Sequence, residues 1–239
     1  MTDLLETLGE EFALALPPVA EQYRLTGIGL LNWGTFSGHH WIPVSEVGHV
    51  LTGGSGHGKS TILDAVSVVM FPPNGLDLNA AARDATAKGK DRNILSYIRG
   101  AYGSLPDAEG NPVTQFLRNG NTWSALSLEF THPQHGPLTL IRVFRASETA
   151  TRLEQVPKAG MIVEGKFHLP DLKEIVTQPR LEMKALQREF DPIHVSAEFT
   201  PYQERFMRLL GLTQQAMDLL GKMQANKGLS SLEQLTMAA

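Results

Sequence analysis

Residues Leu51 to Met70 read LTGGSGHGKSTILDAVSVVM. Within them, Gly53-Gly54-Ser55-Gly56-His57-Gly58-Lys59-Ser60 satisfies every fixed position of the phosphate-loop pattern G-x-x-x-x-G-K-[ST]. Glycines let a main chain bend tightly and approach a ligand without Cβ clashes. The N–H groups from about Gly56 to Thr61 would then point into the bend, reinforced by the positive end of the helix that follows. In such a loop Lys59 reaches the β- and γ-phosphates, the Ser60 hydroxyl coordinates Mg²⁺, and Thr61 touches the α-phosphate. His57 has two readings: a residue present only for its backbone, with the ring pointing outward, or a pH-sensitive phosphate contact, since imidazole titrates near neutrality.

The flanks carry the expected pattern. Val47 to Leu51 is a short apolar run that predicts a buried strand entering the loop. From Thr61 to Met70, Ile62, Ala65, Val66 and Val69 repeat at helical spacing, so one face of a helix is apolar. Phe71-Pro72-Pro73-Asn74-Gly75 stops it. Strand, glycine-rich loop and helix in that order make the motif specific.

Further out, residues 1–20 read as a short acidic helix closed by Pro17-Pro18, an N-terminal extension to a domain spanning 21–239. Ile28-Gly29-Leu30-Leu31 reads as a strand, Asn32-Trp33-Gly34 as a turn, and His39 to Val44 as the returning strand. Trp123 to Phe130 and Pro137 to Phe144 alternate on either side of a hairpin loop, Thr131 to Gly136. A weaker strand, Gly160 to His168, precedes a helix from about Pro170 to Val176. The last forty residues are helical in pattern, with breaks expected at Gly211, Gly221 and Gly228.

Composition narrows the function. The chain has 239 residues, 42% of them hydrophobic, and no cysteine, which excludes disulfides and thiolate metal sites. No run of about 18 apolar residues predicts a membrane span, and the acidic start does not suit a secretion signal, so no membrane partner and a cytoplasmic location are expected. A net charge of −4 provides no overall basic footprint for nucleic acid. Ala81 to Gly100 nevertheless carries Arg83, Lys88, Lys90, Arg92 and Arg99 against Asp84 and Asp91. That stretch reads either as a solvated loop or as a phosphate-facing patch. His132-Pro133-Gln134-His135 reads as hairpin polarity and not as a metal site, and Met207, Met217 and Met223 as core packing.

Hydrolysis needs a second acidic motif, an apolar strand ending in Asp or Asp-Glu. Gln215-Ala216-Met217-Asp218 is too polar and helical in pattern, and Pro106-Asp107 and Pro170-Asp171 lack the apolar run. Leu229-Ser230-Ser231-Leu232 lacks the glycines of an L-S-G-G-Q-like signature. The sequence therefore carries half of an ATPase site.

The run LLNWGTFSGHHW, then LTGGSGHGKSTILDAV, then FPP resembles the N-terminal head lobe of the SMC and Rad50-like ATPases. It is most similar to the MukB-like branch and to the JetC subunits of Wadjet plasmid-defence systems. The resemblance implies an α/β, P-loop NTPase fold of the ABC type. In it a mixed sheet surrounds the loop helix, and antiparallel strands and helices lead to a coiled coil. It implies ATP and Mg²⁺ as ligands. It also implies a C-terminal head half carrying the missing motifs, a second head joined by ATP, kleisin-like and accessory subunits, DNA, and a bacterial nucleoid setting. Arg99, in Ser96-Tyr97-Ile98-Arg99-Gly100, would sense ATP or DNA, against a core-capping alternative. Gln224 would be the glutamine linking Mg²⁺ and the attacking water to head motion, against an exposed helix Gln. Lys88, Lys90 and Arg92 would meet DNA. The helical pattern is still running at Met237-Ala238-Ala239, which reads as a fragment or one half of a divided head. On this reading the chain alone turns ATP over poorly. A self-contained P-loop kinase and a non-catalytic nucleotide-regulated DNA-binding module are the rival readings.

Overall fold

Alternating apolar residues build a hairpin first: β1 (Arg24–Trp33) and β2 (Phe36–Pro43) pair antiparallel around a tight turn. The turn uses Asn32 at φ 51° and Gly34 at φ 55°, left-handed conformations that asparagine and glycine tolerate. The Asn32 side chain fixes it by accepting from Gly38 N and donating to the Trp123 carbonyl. The computed structural model describes residues 22–45, 47–73, 76, 78 and 93–225, with side chains only as far as 222.

After the glycine-rich loop come α1 (Lys59–Met70), α2 (Ile94–Arg99) and a small hairpin of β3 (Ala101–Pro106) and β4 (Pro112–Phe116). The long strands β5 (Thr122–His132) and β6 (Gly136–Ala146) follow, then β7 (Lys158–Glu164). The remaining elements are α3 (Lys173–Val176), α4 (Met183–Phe190), β8 (His194–Ser196), α5 (Phe199–Leu210) and α6 (Gln214–Ala225). The main sheet runs β2-β1-β5-β6-β7-β8, and each of its ladders is antiparallel.

Both sheet faces are covered, which is why β5 and β6 are buried along nearly their whole length. One face packs Ile28, Leu30, Leu126, Leu128 and Leu140 against Ala65, Val68 and Val69 of α1 and Tyr202 and Phe206 of α5. The opposite face packs Leu31, Ala125, Ile141, Val143 and Met161 under Leu169, Leu172, Val176 and Leu186. Helix α5 comes close because β7 has Gly160 beneath it: a Cβ there would lie 2.5 Å from Tyr202 Cγ.

The α/β class and the principal strands agree with the sequence. Other expectations do not. Val47 to Leu51 forms no strand, and Val47 and Val50 are 93% and 82% exposed. A strand needs a neighbour for its N–H and C=O groups, and no described strand runs beside this segment. With it unpaired, the parallel component of a mixed sheet is missing among the described residues. Gly221 lies inside α6 and breaks nothing, whereas Gly211, at φ 68°, does end α5. The helix expected from Pro170 is a 3-10 turn, Leu169–Leu172, running into α3. Helix α2 escaped periodicity because all six of its residues are buried, leaving no polar face to mark the turn. No helix among the described residues is long and apolar enough to cross a membrane. The N-terminal extension, Gly228 and the chain end lie outside the described residues.

Candidate nucleotide-binding site

The loop takes its shape from its glycines and from an aromatic wall. Gly58 is the residue before α1, at φ 84°, and a Cβ there would lie 2.8 Å from Phe36 Cζ. Both facts require glycine. Gly53 to His57 are exposed, and the Lys59 ammonium folds back over them, donating to the Gly53 and Gly54 carbonyls at 2.6 Å each. The His57 ring lies over Gly54, where a Cβ would come within 2.7 Å of its Nδ1. The ring therefore covers the loop and does not simply project outward.

Helix α1 starts without a side-chain cap and without an acidic residue in its first turn. Its first intrahelical bond runs from Ile62 N to the Gly58 carbonyl, 3.0 Å. The preceding N–H groups, those of Lys59, Ser60 and Thr61, are helix-start donors that no side chain claims. An uncapped helix start, glycine carbonyls that hold the lysine by exchangeable bonds, and no carboxylate in the helix's first turn fit an anionic phosphate chain. Ser60, half-buried at the loop mouth, is the hydroxyl suited to a divalent cation there. Among the described residues no group of three or more His, Asp or Glu could hold a metal.

Behind the loop, residues from three elements grip the start of α1. The Trp33 indole donates to the Thr61 carbonyl at 3.1 Å. Trp33 also stacks on Tyr97 of α2, ring centroids 4.7 Å apart. The Tyr97 hydroxyl donates to the Asp64 carboxylate, which is 6% exposed. The Gly34 N–H donates to the Tyr97 carbonyl at 2.8 Å, closing the turn onto α2. Arg118 reinforces this, its Nε and Nη2 donating to the carbonyls of Ile98, Gly34 and Tyr97. Burial pulls the Arg118 pKa below the ordinary arginine value.

Arg99 does not join the loop. It is 7% exposed, and its guanidinium donates to four carbonyls, those of Asn119, Ser147, Glu148 and Ala150. The core-capping alternative describes it: the cation satisfies main chain at the end of β6 and before β5. The sensing role expected from the resemblance finds no support in this placement. Lys88, Lys90 and Arg92 lie outside the described residues. Gln224 falls in α6, its side chain outside them. That helix approaches α1 at its far end, where Gly221 lies against Phe71.

Contacts describe three more of the expected positions, while the side chain of Met223 lies outside the described residues. His132 Nδ1 accepts from the N–H groups of Gln134 and His135 at 3.1 and 3.3 Å, so the H-x-x-H pair is a turn device. Asp218 sits on exposed α6 and accepts from Gln214 Nε2. Met217 is in the core. Sequence reading missed Trp33, Phe36, Tyr97 and Arg118 as partners of the loop. Asp64 was the one available signal, a carboxylate within an otherwise apolar helix run.

Comparison with known proteins adds a match over the loop itself. Residues 25–85 match the P-loop containing region of an AAA domain. The matched stretch includes β1, β2, the glycine-rich loop and α1. A solved chain described under "Structural biochemistry of ATP-driven dimerization and DNA stimulated activation of SMC ATPases" is 13% identical, with a TM-score of 0.32. It covers 77% of this chain and 97% of that one, a likeness too loose to argue from. No curated protein matches.

Proposed function

We propose that this chain is the nucleotide-binding lobe of an SMC-like ATPase head, and that its P-loop binds ATP with Mg²⁺. The observation that carries the reading is the loop geometry: Lys59 donates to the Gly53 and Gly54 carbonyls and begins an uncapped helix with no acid in its first turn. When bound, the triphosphate and its cation would supply the hydrolysable bond and the Lewis acid. The residues of this chain bind and orient. Lys59 would exchange its two carbonyls for phosphate oxygens, the N–H groups from Gly56 to Thr61 would cradle the phosphates, and Ser60 would face the cation. The segment that would orient water and close over the γ-phosphate is assigned to a C-terminal head half and to a second head, because neither motif occurs in the sequence. Val47 and Val50, exposed in a segment beside which no described strand runs, support that assignment, since such a segment is open to an incoming strand.

Within this reading, Gln224 would link Mg²⁺ to head motion. Gly221 of the same helix lies against Phe71, the residue that follows α1. Lys88, Lys90 and Arg92 would meet DNA, in translocation or loop extrusion, with Wadjet-type plasmid defence as the setting and chromosome organisation as the alternative. Arg99, which holds four main-chain carbonyls, is assigned no role in it.

The test is nucleotide binding by the full chain, followed by turnover with and without a C-terminal head half and DNA. Binding that disappears in Lys59→Ala, with turnover only in the completed head, supports the reading. Brisk turnover by this chain alone would favour a self-contained kinase or hydrolase. Binding without turnover in any combination would favour a nucleotide-regulated module.

A further inference from the structure

We infer that Tyr97, acting through Asp64, is a positioning residue for the P-loop: it sets the rotation of α1 and so aims the Ser60 hydroxyl. The inference rests on the nucleotide-site reading and extends it to α2, which does not belong to the loop.

Asp64 is a buried carboxylate on a helix whose other buried residues are apolar. Burying a carboxylate is unfavourable unless hydrogen bonds compensate, and an apolar residue would adhere to the core as well. What the Tyr97–Asp64 hydrogen bond adds is direction. Adhesion resists separation of α1 from the sheet but only weakly resists its rolling. A hydrogen bond from a fixed hydroxyl resists rolling.

Asp64 and Ser60 are four residues apart, so they lie on the same side of the helix. Any roll that moves the Asp64 carboxylate moves the Ser60 hydroxyl with it. The Trp33 indole holds the Thr61 carbonyl between these two positions, and the same Trp33 stacks on Tyr97. These two restraints on α1 therefore lead to one tyrosine.

The tyrosine is well anchored. Asn93 caps α2 by accepting from Ser96 N at 3.0 Å, the guanidinium of Arg118 holds the Tyr97 carbonyl, and Arg99 locks the last turn to four carbonyls. By contrast, Gly53 to His57 are exposed, and α1 has no cap of its own. The rigid element is α2, and the loop takes its aim from it.

The test separates aim from adhesion by using the cation. Nucleotide affinity of the full chain is measured with and without Mg²⁺ for wild type, Tyr97→Phe, Asp64→Asn and Lys59→Ala. Tyr97→Phe keeps the ring stack and removes only the hydroxyl. The expected result is a loss of about three- to tenfold in the Mg²⁺-dependent gain in affinity, the scale of one hydrogen bond. The metal-free affinity and the circular dichroism spectrum should hardly change. Asp64→Asn keeps the side-chain shape and carries the same test if Tyr97→Phe does not fold. Equal weakening with and without Mg²⁺ would reduce the pair to ordinary packing and overturn the inference. So would an unchanged Mg²⁺ gain alongside lost binding in Lys59→Ala, which would leave the nucleotide site standing. No binding by wild type would overturn the nucleotide site and the inference together.

Discussion

Lys59 and Arg99 are both cations whose N–H groups end on main-chain carbonyls, yet they occupy opposite kinds of place. Lys59 holds two carbonyls of its own exposed loop, contacts that a phosphate can replace. Arg99 is enclosed and holds four carbonyls from segments 20 to 51 residues away. In the first, the cation is waiting for an anion. In the second, the carbonyls are waiting for a cation. A basic residue next to glycine has the same appearance in sequence in either case. What separates the two is the number of distant groups that depend on the charge, and whether water could take its place.

The comparison can be broken first at Arg99. Arg99→Ala strands buried carbonyls, and a loss of about 3 kcal/mol in denaturant unfolding is expected, because hydrogen bonds to charged groups exceed neutral ones. Little change would place Arg99 with Lys59, as an adaptable cation. Arg142 sharpens the comparison from another side. It is 2% exposed, with Nε and Nη1 lacking hydrogen-bond partners, and lies 4.8 to 5.7 Å from the ring centroids of Phe144, Phe199 and Tyr202. Burial lowers its pKa to about 10. Among the described residues no carbonyl is bonded to this cation, so Arg142→Met should leave stability unchanged or raise it by about 1 kcal/mol. A large loss would show that the aromatic rings alone hold it as firmly as carbonyls hold Arg99.

Lys59→Ala should change the stability of the nucleotide-free chain by no more than about 0.5 kcal/mol, the range of exposed substitutions, while removing nucleotide binding. A larger destabilisation would mean that the loop needs its lysine to fold. The gentlest effect is expected at His194, whose pKa is held below its ordinary value by burial and then by Arg205 and Arg208. A histidine kept neutral by the fold contributes its full share of stability above about pH 6.5. It loses that share as pH falls through its lowered value, because the unfolded chain takes up the proton more readily. His39, lowered by burial and then by His168 and His40, acts in the same direction. His194→Gln should flatten the fall in thermal midpoint between about pH 7 and pH 5, and an unaltered slope would assign that fall to other groups.

Much of the fold was legible because much of it is local. The turn at Asn32 and Gly34, the loop at Gly53 to Ser60 and the apolar stripe of α1 depend on backbone freedom and on residue spacing, and these are properties of neighbouring residues. Strands β5 and β6 could be read from alternation. Helix α2 could not, since burial on every side removes the polar face that marks a helix. Val47 to Leu51 misled for the reverse reason: a run of apolar residues states that a strand is possible, and only a neighbour makes one.

The site divides along the same line. By itself the sequence determined the glycine-rich loop, its lysine and its hydroxyl, because the conformations of Gly53 to Gly58 and the start of α1 follow from adjacent residues. Tertiary structure alone decided that Arg99 belongs to the core, that Tyr97 and Trp33 stand behind the loop, and that Asp64 faces a hydroxyl. Those outcomes depend on which distant groups meet. The free energy of a buried charge or hydrogen bond is set by its partners, and the residue itself does not name them.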